Sequence, residues 1–204
     1  MSLDLFARFD DEAEEAGKEK DKDSGRISTK FIKARSILIS EPISSHLAQK
    51  IYQQVILLEL DDPEKAITVF INSPGGEADT GFGIYDMMRF VRPPIRTVVA
   101  GLCASAAVMV FLAGEKGQRF TLPNSRFLLH QPSSSSMGQA SDLEIASREI
   151  LKLRERYNEI VAEETGRKRE QVDDDADRDF WMTAQEAVEY GLANRMITRR
   201  EELG

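Results

Sequence analysis

The sequence predicts a single α/β domain built around a mainly parallel sheet. Short β-branched runs alternate with stretches whose apolar residues recur at helical spacing, and turns containing glycine or proline separate them. Repeated alternation of this kind favours parallel strands connected by helices. The length of 204 residues fits one compact domain, and no internal repeat is present.

The N-terminal segment differs in composition from the rest of the chain. Asp10–Asp23 is almost wholly charged, carries both signs and lacks apolar periodicity, which is typical of a solvated arm. We therefore predict an arm over residues 1–26 and one domain over residues 27–204. Because this start resembles neither a secretory signal nor a transit peptide, it favours a cytoplasmic protein.

Composition excludes several classes of partner. A net charge of −8 disfavours nucleic acid, and a single cysteine excludes an internal disulfide and offers no metal-binding spacing. We predict no metal and no cofactor. Residues 97–114 are uncharged and approach the length of a membrane span, but their β-branched start and the following glycine, cysteine and serine favour a strand, a turn and a short buried helix. We therefore expect no membrane partner.

Periodicity and turn residues place the elements along the chain. Two capping boxes are predicted, one at Ser141–Glu144 that opens a long helix ending at Gly166, and one at Thr183–Glu186 that opens a helix ending at Gly191. The other predicted elements are strand Phe31–Ile39, helix Ser44–Leu60, strand Ile67–Ile71, a helix through Ile84 and Met88, strand Arg96–Ala100, an apolar helix from Ser105, strands Arg119–Leu122 and Arg126–His130, and strand Met196–Ile197.

Two residues suggest nucleophilic chemistry. Ser105 lies where a strand turns into a helix, so the first amide groups of that helix, beginning with Ala106, are free to face an oxyanion. His130 ends a strand of the predicted parallel sheet, where functional groups gather. Each has a plain structural alternative, since buried serines usually serve packing and single histidines often only make hydrogen bonds. Residues 173–179 contain five aspartates, but their spacing does not fit a calcium-binding EF-hand loop.

Several motifs, taken in order, resemble those of one family. They are Ile71–Gly76, Gly101–Ser105, Leu122–Arg126, His130–Pro132, Gly138–Asp142, Arg148–Leu151, Asp177–Asp179 and Glu189–Leu192. Together they resemble ClpP, the proteolytic subunit of the Clp protease, from about Ile37 to Ile197. The resemblance implies a crotonase-like spiral of β-β-α units with a protruding handle helix, which the helix after Asp142 matches.

The same resemblance implies a set of functional residues. The catalytic triad would be Ser105, His130 and Asp179, with Asp179 selected by its place after an Asp-Arg pair. The backbone N–H groups of Gly76 and Ala106 would form the oxyanion hole. Such a protein is a serine endopeptidase that degrades unfolded polypeptides to short peptides.

The resemblance also implies an assembly and a partner. Family members stack two seven-membered rings into a barrel that encloses the active sites, and an ATP-dependent Clp-type AAA+ unfoldase feeds them. Asp177 and Arg178 resemble an ion pair between the rings, and three residues fall at positions of the unfoldase-docking pocket: Phe70, Phe90 and Leu122.

Departures from the family pattern leave alternatives open. Ala106-Ala107 replaces the usual Met-Gly after the nucleophile, and Thr68 replaces an often aromatic docking residue. The main alternative is a catalytically silent structural subunit of a mixed ring. An acyl-CoA enzyme of the crotonase type would not need this Ser/His/Asp set. A Ser/Lys signal-peptide peptidase would need a membrane anchor and a catalytic lysine, and we can place neither in this sequence.

Overall fold

A computed structural model of the chain describes Ile27, residues 29–132 and residues 137–203. The chain divides into two units, the first ending at Ser36 and the second beginning at Ile37. Most of the predicted N-terminal arm, residues 1–26, lies outside the described residues, as does the Ser133–Ser136 run. In the first unit, residues 29–33 are helical, so the predicted strand Phe31–Ile39 is wrong over its first half.

From Ser36 onward the chain follows the predicted alternation of strands and helices. In chain order the elements are β1 (Ser36–Ile39), α1 (Ser45–Asp61), β2 (Ile67–Ser73), α2 (Ala78–Phe90), β3 (Ile95–Ala104), α3 (Ala106–Leu112), β4 (Arg119–Thr121), β5 (Arg126–Leu129), α4 (Ala140–Thr165), α5 (Arg169–Asp175), β6 (Phe180–Thr183), α6 (Ala184–Tyr190), β7 (Arg195–Met196) and a 3₁₀ turn (Arg200–Leu203). Helix α5, strand β6 and the 3₁₀ turn have no counterpart among the predicted elements.

Strand β3 organises the sheet. Its first half lies parallel to β2 and β4, and its last residues, Leu102–Ala104, lie parallel to β5 at Arg126–Leu128. Strand β6 then runs antiparallel to β5. Among the described residues the sheet order is β1-β2-β3-β4-β7, with β5 and β6 branching from β3. The prediction of a mainly parallel sheet is confirmed, because the β2–β3, β3–β4, β3–β5 and β4–β7 pairs are all parallel and β5–β6 is antiparallel.

Helix α3 forms the centre of the core. All seven of its residues are buried, and Phe111 meets Phe127 of β5 edge to face at a ring distance of 5.5 Å. Cys103 at the end of β3 is fully buried beside it. The uncharged stretch is therefore a strand, a turn and a short buried helix, and no helix among the described residues is long and apolar enough to span a membrane.

Helix α4 is long and buries only its C-terminal half. Its four buried residues lie between Tyr157 and Ala162, whereas apolar side chains earlier in the helix, such as Ile145 and Leu151, are more than half exposed. Gly166 ends the helix in the left-handed conformation, as predicted. The predicted capping box at Ser141 is wrong, because the helix already begins at Ala140 and Gln139 provides no side-chain cap.

Candidate active site

The backbone at Ser105 adopts a conformation that non-glycine residues rarely take. Between β3 and α3 its φ is 54° and its ψ is −125°. Such backbone strain costs on the order of 1–3 kcal/mol and persists only where the surroundings enforce it. Here the Ser105 N–H donates to the Leu128 carbonyl at 2.9 Å, and the Ser105 carbonyl accepts the Val108 N–H at 2.9 Å. The turn has the sharp strand-to-helix geometry of a nucleophile elbow without its GxSxG sequence.

Two glycines form the wall opposite this turn. A Cβ on Gly75 would lie 2.5 Å from the Ala104 carbonyl oxygen and 2.8 Å from the Ser105 Cβ, so only glycine allows this approach. Gly75 and Gly76 both have positive φ, at 88° and 153°. Ile43 holds the loop in place, because its N–H donates to Gly75 at 2.8 Å and its carbonyl accepts the Glu77 N–H at 3.0 Å.

The two predicted oxyanion donors line a cleft that Ser105 also lines, and their amides are free. Within the described residues, the N–H groups of Gly76 and Ala106 have no hydrogen-bond acceptor, and both residues line the same cleft as Ser105. Ala106 is the first residue of α3, so its amide has no acceptor within the helix. Two free amides beside a serine are the arrangement that stabilises a developing oxyanion.

His130 follows β5 and lies next to Asp179, which precedes β6. The His130 Nδ1 is 3.2 Å from the Asp179 Oδ1. Since an ionised carboxylate only accepts hydrogen bonds, Nδ1 is the donor in this pair, and in a neutral imidazole the Nε2 atom is then available as an acceptor. The His130 side chain is 31% exposed and that of Asp179 is 63% exposed.

The neighbouring aspartates have other partners. Asp175 accepts a hydrogen bond from the Tyr190 hydroxyl at 2.9 Å, and Asp177 lies 3.5 Å from an Arg154 nitrogen of α4. Of Asp175, Asp177 and Asp179, only Asp179 contacts His130 in the described part of the chain. Arg178 is exposed.

Backbone and side-chain hydrogen bonds join the segment after His130 to the segment before Asp179. The Gln131 N–H donates to the Ala176 carbonyl at 2.8 Å, and its side-chain amide donates to the Asp177 carbonyl at 2.8 Å. Arg154 donates to the Gln131 side-chain oxygen at 3.2 Å. Helix α4 therefore supports the His130–Asp179 pair indirectly, through the contacts of Arg154 with the neighbouring segments.

A cleft of about 280 Å³ brings most of these groups together. Ser105, His130, Gly76 and Ala106 all line it, with Asp179 lying behind His130. The remaining lining residues are Glu77, Ala78, Asp79, Phe82, Met109, Pro132, Ile150, Leu153 and Tyr157. In the described residues no hydrogen bond joins the Ser105 hydroxyl to His130.

Glu77 is the carboxylate most firmly held at the cleft. It accepts hydrogen bonds from the hydroxyls of Thr80 at 2.6 Å and Ser45 at 2.8 Å, and these bonds lower its pKa below the usual range. It therefore stays ionised. With Asp79 it gives the cleft a negative rim.

The predicted docking residues lie in two places. Phe70 and Leu122 pack against an apolar cluster of Val98, Phe120 and Ile197. Phe90 ends α2 and is 82% exposed, and it does not belong to that cluster. Among the described residues, no group of three or more His, Cys, Asp or Glu side chains is arranged to hold a metal ion.

Comparisons with known proteins match this architecture. A family model described as Clp protease matches residues 19–200. The chain belongs to the Clp protease family. A curated family member, ATP-dependent Clp protease proteolytic subunit 2 of Treponema denticola, is 42% identical over 195 residues, which cover 96% of this chain and 98% of that protein.

A solved structure of a Clp protease family member shares the fold. A mutant of ClpP1 from Listeria monocytogenes superimposes with a TM-score of 0.81 at 40% identity, covering 87% of this chain and 99% of that chain. The predicted crotonase-like α/β fold is thereby confirmed. Membership of the Clp protease family identifies the chain as a proteolytic-subunit homologue and implies serine peptidase chemistry.

Sequence reasoning overlooked Tyr157 and Arg154 of α4. The Tyr157 hydroxyl donates to the Ser105 carbonyl at 3.3 Å, and Tyr157 lines the cleft together with Ile150 and Leu153. The sequence did contain a signal for Tyr157, because Ile150, Leu153 and Tyr157 form one apolar stripe on the helix and a buried tyrosine needs a partner for its hydroxyl. Arg154 gave no comparable signal, since arginines are frequent on this helix.

Proposed function

We propose that this family member is an active serine endopeptidase that cleaves unfolded polypeptides to short peptides. The observation that carries the proposal is the His130–Asp179 pair, 3.2 Å apart, beside a cleft that Ser105 shares with His130. The free amides of Gly76 and Ala106 in the same cleft support it. A fold shared with acyl-CoA enzymes does not require such a serine, histidine and aspartate set.

In the proposed reaction, Ser105 Oγ attacks the scissile carbonyl while His130 Nε2 takes the hydroxyl proton. Asp179 keeps the proton on Nδ1 and stabilises the imidazolium that forms. The carbonyl oxygen becomes an oxyanion that accepts hydrogen bonds from the Gly76 and Ala106 N–H groups. Each of these bonds typically raises the rate by a factor of about 10² to 10³. His130 then protonates the leaving amine, and water completes the cycle by hydrolysing the acyl-Ser105 ester.

The proposal includes the assembly and partner of the family. The curated relative is named as a proteolytic subunit of an ATP-dependent Clp protease. We infer two stacked heptameric rings in the cytoplasm, joined through α4, with Asp177 and Arg178 at the junction and a Clp-type unfoldase docking near Phe70, Leu122 and Phe90. The largely exposed apolar side chains in the first half of α4 support burial of this segment in an assembly.

A fluorophosphonate or β-lactone probe tests catalytic competence. We expect stoichiometric labelling of Ser105 in the assembled particle, loss of labelling in Ser105→Ala, and hydrolysis of a fluorogenic peptide only by the wild-type protein. Addition of a Clp-type unfoldase and ATP should extend activity to a folded, tagged substrate.

The silent-subunit alternative rests on a specific observation. The Ser105 hydroxyl makes no hydrogen bond to His130 within the described residues. If an assembled particle of two rings remained unlabelled by both probes, the structural-subunit function would replace the endopeptidase. Labelling that survived in Ser105→Ala would overturn the choice of nucleophile.

A further inference from the structure

Tyr157 connects the long helix α4 to the nucleophile turn. Its side chain is buried, with 4% exposed, and its hydroxyl donates to the Ser105 carbonyl oxygen at 3.3 Å across 52 residues of sequence. The same residue lines the cleft that contains Ser105 and His130. This contact is not needed to form α4, whose backbone hydrogen bonds are local.

The acceptor of this hydrogen bond belongs to a peptide group that has a second role in the proposed mechanism. The Ser105 carbonyl and the Ala106 N–H are the two ends of one peptide unit, which is planar and trans, so they point in opposite directions. Fixing the carbonyl therefore fixes the direction of the Ala106 N–H. The Val108 N–H occupies one acceptor position of the carbonyl at 2.9 Å, and Tyr157 occupies the other.

The local backbone explains why such a support has an effect. Ser105 has a φ of 54° and ψ of −125°, a strained conformation that rotation of the peptide unit would relieve. Rotation of that unit would turn the Ala106 amide away from the cleft. A hydrogen bond on the carbonyl from a buried phenol opposes the rotation and also polarises the amide.

We propose that Tyr157 is a positioning residue that aims the Ala106 amide at the oxyanion by holding the Ser105 carbonyl. The inference rests on the proposed endopeptidase function. Tyr157 has no proton-transfer role. Through this contact the handle helix is mechanically connected to the oxyanion hole, in addition to its support of His130 and Asp179 through Arg154.

The ionisation behaviour of the phenol agrees with a purely donating role. Burial raises the pKa of the Tyr157 hydroxyl far above its ordinary value, so the group remains protonated at neutral and alkaline pH. Loss of the hydroxyl should therefore lower the rate by the same factor across the whole active pH range. A change in the shape of the pH–rate profile would instead indicate acid–base chemistry.

The test compares Tyr157→Phe with Tyr85→Phe in assembled particles. Tyr85 is another buried tyrosine, and its hydroxyl donates to the Glu164 carboxylate at 3.1 Å, away from the cleft. With a fluorogenic peptide we expect Tyr157→Phe to lower kcat by about 5- to 30-fold, the effect of one hydrogen bond felt in the transition state, with KM within twofold of wild type. Inactivation by a fluorophosphonate, whose phosphoryl oxygen occupies the oxyanion hole, should slow by a similar factor. Tyr85→Phe should change neither rate by more than twofold.

The outcomes separate this inference from the proposed function. If wild-type particles neither cleave peptide nor label, the endopeptidase proposal fails and the inference fails with it. If wild type is active but Tyr157→Phe keeps its kcat, raises KM alone, or loses no more than Tyr85→Phe, only the positioning role is overturned. Tyr157→Met fills the site without a hydroxyl and should reproduce the Phe result. If neither variant assembles, Tyr157 is a packing residue and the positioning role is rejected.

Discussion

The candidate active site has a nucleophile side at Ser105 and an acid side, by which we mean the His130–Asp179 pair. The two sides are held in different ways. Ser105 belongs to a turn enclosed by buried backbone, with Gly75 on one side and the wholly buried helix α3 on the other. The His130–Asp179 pair lies at the surface, where Asp179 is 63% exposed. One side is fixed by the core and the other by contacts that solvent reaches.

This difference indicates where the activity of the site is open to control. Backbone strain at Ser105 and the close approach of Gly75 are consequences of the folded core and change little with conditions. The acid side depends on Gln131 and Arg154, whose bonds lie between exposed or half-exposed groups and respond to salt and to neighbouring surfaces. We therefore expect the nucleophile side to be preorganised in the single chain and the acid side to be adjustable.

The largest effect is expected from Gly75→Ala. A Cβ there would lie 2.5 Å from the Ala104 carbonyl, 2.8 Å from the Ser105 Cβ and 3.1 Å from the Ala106 nitrogen. Nucleophile and oxyanion donor would both be displaced, so kcat/KM for a fluorogenic peptide should fall by roughly 10⁴-fold, about 10² for each.

Gly117→Ala is the matched control. Gly117 has nearly the same φ, 92° against 88°, but a Cβ there would meet no heavy atom of the described residues within 4 Å. Its variant should lose about 1–2 kcal/mol in free energy of unfolding through backbone strain and keep its activity. Equal losses of activity in both variants would show that backbone strain alone, and not the approach to Ser105, governs the site.

Asp179→Asn should have the next largest effect. The side-chain amide that replaces the carboxylate favours the His130 tautomer with its proton on Nε2 and not on Nδ1. Where the replaced carboxylate is buried, this change lowers kcat by about 10⁴-fold. Because Asp179 is well exposed, water replaces part of its function, and we expect roughly 10² to 10³ here. Steady-state kinetics with Asp175→Asn as control should show less than about a tenfold loss, since Asp175 contacts Tyr190 and not His130. Equal losses would remove Asp179 as the third member.

Arg154→Met should give a smaller loss. It removes the guanidinium that contacts Gln131 and Asp177 but keeps an apolar stem. We expect kcat to fall by about 3- to 10-fold, the size of one hydrogen bond and one partly exposed ion pair. Raising the salt concentration should lower the wild-type rate toward that of the variant. Arg148→Met, which among the described residues breaks only the exposed Glu144 pair, is the control, and an equal loss there would contradict a specific role for Arg154.

Thr183→Ala should change stability and not catalysis. The Thr183 hydroxyl accepts the Glu186 N–H at 3.3 Å, and the Glu186 carboxylate accepts the Thr183 N–H at 2.7 Å, so a complete capping box starts α6. Loss of this capping box should lower the free energy of unfolding by about 1 kcal/mol, measured by chemical denaturation at fixed protein concentration. Ser141→Ala removes a box that does not form and should cost nothing. A loss of activity in Thr183→Ala would mean that the acid side is less adjustable than we infer.

The contrast between these two boxes shows what the sequence was able to predict. Thr183 closes a strand that pairs with β5, so its extended backbone is imposed and the cap forms as the motif predicts. Ser141 has no such constraint on its backbone. Ala140, a strong helix former, is taken into the helix and leaves Ser141 inside it.

In the candidate active site, too, features set by local sequence were predictable and features set by distant contacts were not. The placement of Ser105 and His130 at strand ends followed from local patterns, and the structure brings both to one cleft. The left-handed φ of Ser105 did not follow, because it results from long-range packing against Gly75. Helix α5 was also overlooked, since its charged sequence buries only Val172 and lacks an apolar stripe.

Cys103 makes the protein convenient for site-specific labelling. It is the single cysteine of the chain, it lies fully buried two residues before Ser105, and burial raises the pKa of its thiol far above the usual range. Maleimide dyes react with exposed thiolates, so the native protein should carry almost no background label. A cysteine introduced on α4 would then report the proposed ring assembly by fluorescence transfer, without first removing the native thiol near Ser105.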